Sequence, residues 1–101
     1  MQATVLKEAG KAVIKLVGRF DFNTHREFRG AYEPLLTEAS ISSVLVDFSA
    51  VDYLDSSALG MLLMLRDKLG GVNKSIALVG VSGNVKQVLD IANFGKLFQI
   101  L

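Results

Sequence analysis

The sequence predicts an α/β protein with a mixed, largely parallel central sheet and helices packed on it. Short apolar runs typical of strands alternate with longer segments of helical periodicity, in the order β-β-α-β-α-β-α-β. Strands that alternate with helices imply right-handed crossovers and therefore parallel neighbours. The 101 residues, of which 50% are hydrophobic and 21% charged, suffice for one core, so residues 1–101 are expected to form a single domain.

The first two strands are expected at residues 5–7 and 12–17, where apolar and β-branched residues dominate. The short polar gap between them contains Gly10, which predicts a tight hairpin turn because glycine readily adopts positive φ. At Gly18 the chain is expected to leave the sheet.

A first helix is expected from about Thr24 to Ala39, with Asn23 or Thr24 as its N-cap. Pro34 interrupts this segment. Because proline has no amide proton for the Gly30 carbonyl, it predicts a kink or a break there. The apolar side chains that recur at helical spacing form one stripe, which consists of Phe28, Tyr32, Leu35, Leu36 and Ala39.

The most informative segment lies between a buried strand expected at residues 44–48 and a helix expected at residues 59–69. Asp55, Ser56 and Ser57 stand between them, where the helix should begin. Asp and Ser are favoured N-caps because their oxygens accept hydrogen bonds from the free amides of the first turn. An exposed serine hydroxyl can also attack a substrate or be modified, so capping, catalysis and modification are three open alternatives.

The second helix is apolar around most of its circumference. Its inward face is expected to consist of Leu59, Leu62, Leu63, Arg66 and Leu69, and its outward face of Met61, Met64, Leu65 and Lys68. Two methionines are too apolar for an ordinary solvent-exposed face. Because methionine adapts to partner surfaces, Met61 and Met64 indicate either a binding face or core at the edge of the helix.

The remaining chain repeats the strand–helix pattern. Gly70 and Gly71 are expected to end the second helix with a left-handed cap. A fourth strand follows at residues 75–79, and a last strand is expected at residues 97–101. Between them Ser82 is expected to cap a third helix, whose inward residues are Val85, Val88, Leu89 and Ala92.

Composition excludes several classes of function. A formal net charge of +1 gives no electrostatic case for nucleic acid, a membrane surface or an acidic substrate. The absence of cysteine and the single histidine, His25, exclude disulfides, thiol chemistry and histidine-cluster metal sites. No signal peptide is visible, and the longest strongly apolar segment, 58–65, is far shorter than the ~20 residues of a membrane span. A cytoplasmic protein is therefore expected.

The sequence lacks the residues that common enzymatic motifs require at fixed spacings. Lys74-Ser75 supplies only the end of a phosphate loop, because the required glycines do not precede it. Ser57 has no glycine two residues to either side, as a hydrolase elbow requires. A triad of Ser57, His25 and Asp21 is compatible with the sequence, since triads are spatial, but a single histidine where a loop passes into a helix is usually a surface residue. We expect no catalytic residues, no cofactor and no metal site.

The whole chain resembles the STAS domain family, in particular its single-domain anti-sigma factor antagonists. Residues 17–21 resemble a strand that ends in Gly, a variable residue, an apolar residue and Asp. Residues 44–60 resemble the signature of the family, a buried strand followed by Asp-Ser-Ser/Thr-Gly-Leu-Gly. Residues 76–80 and 85–89 resemble its third strand–helix unit. Ala58 stands where the family usually has glycine, and no final helix follows the last strand.

The resemblance implies a STAS fold and a phosphorylation-controlled partner switch. In that family the second hydroxyl residue of the signature, here Ser57 with Ser56 as second choice, is phosphorylated by an anti-sigma factor that is also a serine kinase. The unphosphorylated antagonist binds that partner and frees the sigma factor, the phosphorylated form dissociates, and a PP2C-type phosphatase resets it. The antagonist is thus a substrate and a binding partner rather than an enzyme, and we expect a monomer or weak dimer.

The residues around the signature are expected to form the partner surface. By resemblance, Asp21 and Asn23 flank the phosphorylation site. With Asp55, Ser56, Ser57, Met61 and Met64, they complete the expected partner-binding set. Two alternatives stay open, namely a STAS docking subunit of a transport or stress-signalling complex that does not switch, and a small nucleotide-binding module.

Overall fold

The computed structural model describes residues 1–101, and its elements follow the predicted order. The strands are β1 (Gln2–Glu8), β2 (Lys11–Phe20), β3 (Ser43–Leu54), β4 (Ser75–Val79) and β5 (Gln99–Ile100). The helices are α1 (His25–Leu36), α2 (Ser56–Gly71) and α3 (Gly83–Ile91), with short 3-10 turns at Phe22–Thr24 and Phe94–Lys96. The strand order is β1-β2-β3-β4-β5; β1 is antiparallel to β2 and the other pairs are parallel. The predicted mixed, largely parallel sheet is confirmed.

The hairpin between β1 and β2 has a two-residue turn, Ala9–Gly10, in which both residues have positive φ (49° and 81°). Such turns match the right-handed twist of the flanking strands. The expectation that the chain leaves the sheet at Gly18 is wrong, because β2 continues to Phe20. Its last residues pair with the extended end of β3, where Phe20 is opposite Leu54.

All three helices cover the same face of the sheet. The strand order advances in one direction, so right-handed crossovers place each helix on the same side. Buried residues from all three helices and from the inward positions of β2, β3 and β4 form one cluster of 23 residues, together with Ile41, Phe94 and Phe98. Ala77 is also buried, with only 5% exposure, but it lies outside that cluster. It pairs with Leu45 on the open face of the sheet.

Helix α1 follows its predicted stripe but not its predicted boundaries. Phe28, Tyr32 and Leu35 are buried, and Leu36 packs partly against the core. The helix ends at Leu36, so Ala39 lies outside it and is exposed.

Pro34 does not break α1, which runs through it to Leu36. The bond that proline removes, to the Gly30 carbonyl, lies in the last turn of the helix, where few bonds remain to be lost. Thr24, one of the two predicted caps, occupies the N-cap position of α1, whereas Asn23 does not. Thr24 makes no side-chain capping bond to α1, and the polar cap belongs to Asp21, at the start of the preceding 3-10 turn.

The predicted inward face of α2 requires correction. The buried residues are Ala58, Met61, Leu62, Leu65 and Leu69, so Met61 and Leu65 face the core. Leu59 and Leu63 are only half-buried, and Met64 is 51% exposed. Because α2 is apolar on nearly every side, periodicity alone could not choose among several similar stripes. Arg66 lies at the edge of the helix, where its Nε donates to the Leu97 carbonyl oxygen at 2.7 Å.

The end of α2 also differs from the prediction. The helix includes both Gly70 and Gly71, and the left-handed residue is Asn73, with φ of 59°. The Lys74 amide donates to the Leu69 carbonyl oxygen at 2.9 Å and the Asn73 amide to that of Gly70 at 3.2 Å. Apart from glycine, asparagine is the residue type that most readily takes this left-handed conformation at a helix end.

The last unit of the chain matches the prediction in outline. β4 has the predicted bounds, and Val85 and Leu89 of α3 are buried. Ser82 occupies the N-cap position but makes no side-chain capping bond. β5 is shorter than expected because the Leu97 and Phe98 amides donate to the Phe94 carbonyl oxygen, so that the strand begins only at Gln99. None of the three helices has the length and the apolar composition that a membrane-spanning helix requires.

Candidate functional site

The first turn of α2 is capped by an acid, not by a serine. Asp55 has extended backbone angles, and its Oδ1 accepts a hydrogen bond from the Ala58 amide at 3.0 Å. The Leu59 amide donates to the Asp55 carbonyl oxygen at 3.3 Å, which closes the first helical turn. This arrangement satisfies the orphan amide of the third helical residue and places a negative charge at the positive end of α2.

Neither serine hydroxyl of this turn caps the helix. Ser56 is exposed and Ser57 is half-buried, and neither Oγ forms a hydrogen bond with another group of the protein. Their backbone amides lie in the first turn, where a helix offers no internal acceptor. The turn therefore presents two unengaged hydroxyls beside unpaired amides, a setting that favours an anion.

A second capped turn, at the end of β2, lies beside the first. Asp21 Oδ1 accepts from the Asn23 amide at 3.0 Å. The Asp21 amide donates to Thr24 Oγ1 at 3.1 Å, and that hydroxyl donates to the Asp21 carbonyl oxygen at 2.8 Å. This reciprocal capping fixes the path of the chain between β2 and α1.

Backbone pairing holds the two turns together. The Asp55 amide donates to the Phe20 carbonyl oxygen at 3.3 Å, so the β2–β3 ladder continues up to the residue that caps α2. On the open face, the Arg19 guanidinium lies 4.0 Å from the centre of the Tyr53 ring and its Nε is 3.5 Å from Asp21 Oδ2. These contacts brace the carboxyl ends of β2 and β3, from which both turns begin.

A groove of about 810 Å³ runs between α1 and α2, and Ser57 forms part of its wall. Its apolar side chains come from three elements, namely Phe22 of the 3-10 turn, Phe28 and Tyr32 of α1, and Met61 and Met64 of α2. The remaining lining residues are Asn23, His25, Arg26, Glu27, Arg29 and Gly60.

The charges near the groove are partly neutralised within α1. Arg29 Nε lies 2.7 Å from Glu33 Oε2, one turn away. This hydrogen bond lowers the pKa of Glu33 and raises that of Arg29. Burial raises the pKa of Tyr32 above its ordinary value. Arg26 forms no ion pair, so it is the cation of the groove without a carboxylate partner.

The structure gathers four of the seven predicted partner-binding residues at the groove. Asn23, Ser57, Met61 and Met64 all line it, although Met61 is only 9% exposed. The other three lie at its end, where Asp21 and Asp55 order the two turns with their carboxylates and Ser56 faces solvent.

Phe22 is the most exposed apolar lining residue that the sequence prediction missed. Its side chain is 73% exposed, directly after the Asp21 cap. Its signal in the sequence is an aromatic residue in an otherwise polar loop, between Asp21 and Asn23.

The residues of the hypothetical triad do not form the hydrogen-bond chain that catalysis needs. His25 lines the groove with Ser57 but makes no hydrogen bond with it or with Asp21, whose carboxylate is engaged by Asn23 and Arg19. No group of three or more His, Asp or Glu side chains is arranged to hold a metal ion.

Comparison with known proteins gives a match over nearly the whole chain. The sequence model of the family described as "Mlab, STAS domain" matches residues 4–101. A STAS-domain containing protein of Pseudomonas aeruginosa (strain UCBPP-PA14) is 45% identical over 102 residues, which cover 99% of this chain and 99% of that relative.

Three solved structures share the fold. An anti-sigma factor antagonist from Mycobacterium paratuberculosis is similar with a TM-score of 0.86 and 21% identity, over 98% of this chain and 83% of that one. The anti-sigma factor antagonist SpoIIAA in its unphosphorylated form has a TM-score of 0.74 and 19% identity, over 98% and 86% of the two chains. The Bacillus SpoIIAA in its phosphorylated form has the same TM-score and 18% identity, over 98% and 90%.

Proposed function

This chain belongs to the STAS domain family, and we propose that it is an anti-sigma factor antagonist whose binding to its partner is switched by phosphorylation of Ser57. The observation that carries this proposal is that different residues of the first turn of α2 cap the helix and present a free hydroxyl. Asp55 supplies the cap, so the Ser57 hydroxyl is left unbonded at the wall of a surface groove. A serine that caps its own helix would instead have its oxygen occupied.

The proposed modification is an ordinary phosphoryl transfer. The γ-phosphoryl group of ATP passes to Ser57 Oγ, the serine proton leaves to a base of the kinase, and ADP is released. The kinase is the partner anti-sigma factor. A PP2C-type phosphatase hydrolyses the phosphoserine and restores the hydroxyl.

The fold should tolerate the phosphate. The new group lies at the start of α2, beside unpaired amides and the positive end of the helix dipole. Its charge of about −1.5 to −2 acts mainly on the interface, where desolvation and repulsion oppose binding. Asp55, two residues away, adds negative charge at the same place. SpoIIAA, which shares this fold, has been solved in both unphosphorylated and phosphorylated forms, and this supports the compatibility of the fold with phosphate.

The proposed partner surface consists of the two capped turns and the adjoining part of α2. Its residues are Asp21, Asn23, Asp55, Ser56, Ser57, Met61 and Met64. Met61, which is only 9% exposed, offers less of its side chain to a partner than Met64 does. The protein would act in the cytoplasm as a monomer or weak dimer. It would affect transcription through the anti-sigma factor, without contacting nucleic acid itself.

Intact-mass measurement of the protein purified from its own cells tests this proposal. We expect a fraction with the mass of one added phosphate, which maps to Ser57 and disappears in Ser57→Ala but not in Ser56→Ala. If no phosphate is found under any growth condition and Ser57→Ala retains function in cells, the switch is wrong. That result would favour the STAS docking subunit that does not switch.

A further inference from the structure

We propose that a second copy of this chain pairs with the free edge of β1, so that two sheets join into one continuous sheet around a two-fold axis at Val5. This interaction is separate from the proposed phosphorylation of Ser57 and does not depend on it.

Strand β1 is an unprotected edge of the sheet. It runs for seven residues, Gln2–Glu8, in continuous register with β2, and it contains no proline, no bulge and no buried residue. The opposite edge strand, β5, is only two residues long. Proteins usually shorten, bend or cover their edge strands, because a free edge pairs readily with other strands. β1 is therefore the edge to which another strand can be added.

The hairpin determines which main-chain groups of β1 are free. Glu8 and Lys11 flank the two-residue turn and form a hydrogen-bonded pair, and such pairs alternate along an antiparallel ladder. The even-numbered residues of β1 therefore bond to β2, whereas the amides and carbonyls of Ala3, Val5 and Lys7 point away from the sheet. No other main-chain group bonds to them. A row of donors and acceptors of this kind fits an extended strand.

A second copy of β1 satisfies all of these groups at once. When two antiparallel copies are centred on Val5, this residue is opposite its own counterpart and Ala3 is opposite Lys7, so every free amide and carbonyl of both edges gains a partner. Centring on Thr4 or Leu6 instead leaves some of them unpaired within the strands. The symmetry axis therefore lies at Val5, and the same surface of each copy forms the interface.

The side chains are compatible with this register. On the open face of the sheet, Leu6 is opposite Thr4 of the second copy and diagonal to the second Leu6, within the reach of cross-strand contacts. Leu6 is 60% exposed in the single chain, and it is the outer end of an apolar row that continues through Val13 and Leu45. No position of the register brings two like charges opposite each other. The pairing therefore covers an exposed apolar side chain without charge repulsion.

Lys7 does not block the edge. A lysine that extends freely from an edge strand hinders pairing. Here the Lys7 Nζ lies 2.7 Å from Glu38 Oε1, so the charge is engaged within its own chain. Beside the strand, a groove of about 790 Å³ lies between β1 and α1, and the small residues Gly30 and Ala31 line it. This groove leaves room for side chains of the added strand.

The size of the interface predicts a weak dimer. Seven residues from each copy are fewer than the roughly 20–30 per side of a stable specific interface, so the pair should form at high concentration and dissociate on dilution. No residue of β1 lines the groove that contains Ser57, so the pairing leaves that groove open in both copies. A strand of another protein would need a free edge with the same compatible register, which a second copy has by symmetry.

The experiment compares the dimerisation of the wild type, Val5→Pro and Val5→Ala by sedimentation velocity between about 10 µM and 1 mM, a range that brackets weak association. Val5→Pro removes an amide proton that points away from β2, a position at which edge strands tolerate proline. It therefore removes both hydrogen bonds at the axis and leaves the ladder to β2 intact. Val5→Ala is the matched control, because it loses the same side-chain packing but keeps the amide.

The wild type should dimerise reversibly. Val5→Ala should dimerise with a dissociation constant within about fivefold of the wild type, and Val5→Pro at least about tenfold more weakly than Val5→Ala. Circular dichroism of both variants should show the wild-type fold.

Amide hydrogen exchange of the wild type provides a test that needs no variant. As the protein concentration rises, the amides of Ala3, Val5 and Lys7 should exchange more slowly with solvent. The amides of Thr4 and Leu6, which already bond to β2, should change little.

Three outcomes would overturn the proposal. A wild type that stays monomeric up to about 1 mM would leave the edge to an extended segment of another protein. Equal dimerisation of Val5→Pro and Val5→Ala would mean that the contact does not use the main chain of β1. Slower exchange that is equal at odd-numbered and even-numbered residues of β1 would place the contact elsewhere on the protein.

Discussion

The Asp55 amide donates to the Phe20 carbonyl oxygen at 3.3 Å, and this bond joins the two turns of the candidate site. Phe20 is the last residue of β2 and immediately precedes the Asp21 cap, whereas Asp55 immediately precedes α2. Because Phe20 is fully buried, the pairing is anchored in the core. The relative position of the Asp21 turn and Ser57 is therefore a property of the sheet and does not depend on a flexible loop.

Loss of the Asp55 cap should weaken α2. Asp55→Ala removes the acceptor of the Ala58 amide and should lower the free energy of unfolding by about 1 kcal/mol. For a chain of this size, that corresponds to roughly 4–8 °C in the melting temperature. Asp55→Asn, which keeps an acceptor, should recover most of the loss. Asp67→Ala on the exposed side of the same helix is the control, and an equal loss there would contradict a capping role.

Phosphorylation of Ser57 should leave the stability of the fold nearly unchanged. A negative group at the start of a helix contributes about 0.3–1 kcal/mol of favourable interaction with the helix dipole, which offsets repulsion from Asp55. Urea unfolding of the phosphorylated and unphosphorylated forms should give free energies within about 1 kcal/mol of each other. A loss of several kcal/mol would mean that the modification acts by unfolding the protein.

Gly80 should tolerate no side chain. Its φ is 71°, and a Cβ there would lie 2.7 Å from Asp47 Oδ1 and 2.8 Å from the Ser49 amide nitrogen. Gly80→Ala should cost at least about 2 kcal/mol from left-handed backbone strain and displaced neighbours, measured by urea unfolding. Gly30→Ala, in an open position of α1, should instead stabilise the protein by about 0.5–1 kcal/mol. Similar effects of the two substitutions would refute the close approach at Gly80.

The ion pair of Lys7 and Glu38 should give stability a defined pH dependence. The Lys7 Nζ lies 2.7 Å from Glu38 Oε1, and this hydrogen bond holds the pKa of Glu38 below its ordinary value. Because the pKa of Glu38 is lower in the native state, the pair stabilises the fold fully at pH values above the pKa of an unfolded glutamate, which is about 4.3. This stabilisation is lost as pH falls through the native pKa.

Glu38→Gln provides the measurement for this pair. The difference in urea midpoint between wild type and Glu38→Gln should be present at neutral pH and should disappear only as pH falls through the lowered native pKa of Glu38. Glu8→Gln, at an exposed position without an ion pair, is the control. A difference that persists unchanged in acid would show that Glu38 acts through something other than its charge.

The order of the elements could be predicted because apolar runs and helical stripes alternate cleanly along the chain. β4 was predicted to the residue, since polar or glycine residues border its short apolar run. The ends of β2 and β3 could not be predicted. Each extends past its apolar run only because the other offers backbone partners, as Phe20 and Leu54 do. Such long-range pairing leaves no local signal in either segment.

The position of the Asp55-Ser56-Ser57 turn at the start of α2 was predicted, but the residue that caps the helix was not. The Asp55-Ser56-Ser57 segment contains three good caps, and the sequence cannot say which of them accepts the amide bond. The choice depends on the extended backbone of Asp55, which its bond to Phe20 helps to fix. In α2, Met61 and Leu65 were assigned outward because the helix is apolar on several faces and only packing against α1 and the sheet selects one. The groove depends on Phe22, whose exposure no periodicity could indicate.

The central claim is that phosphate on Ser57 releases the partner while the fold persists. The most direct measurement is the affinity of the unphosphorylated and the phosphorylated protein for the same partner, isolated through its association with Ser57→Ala. We predict that phosphorylation weakens this affinity at least about tenfold, or 1.4 kcal/mol, while the circular dichroism spectrum stays unchanged. Equal affinities of the two folded forms would contradict the account.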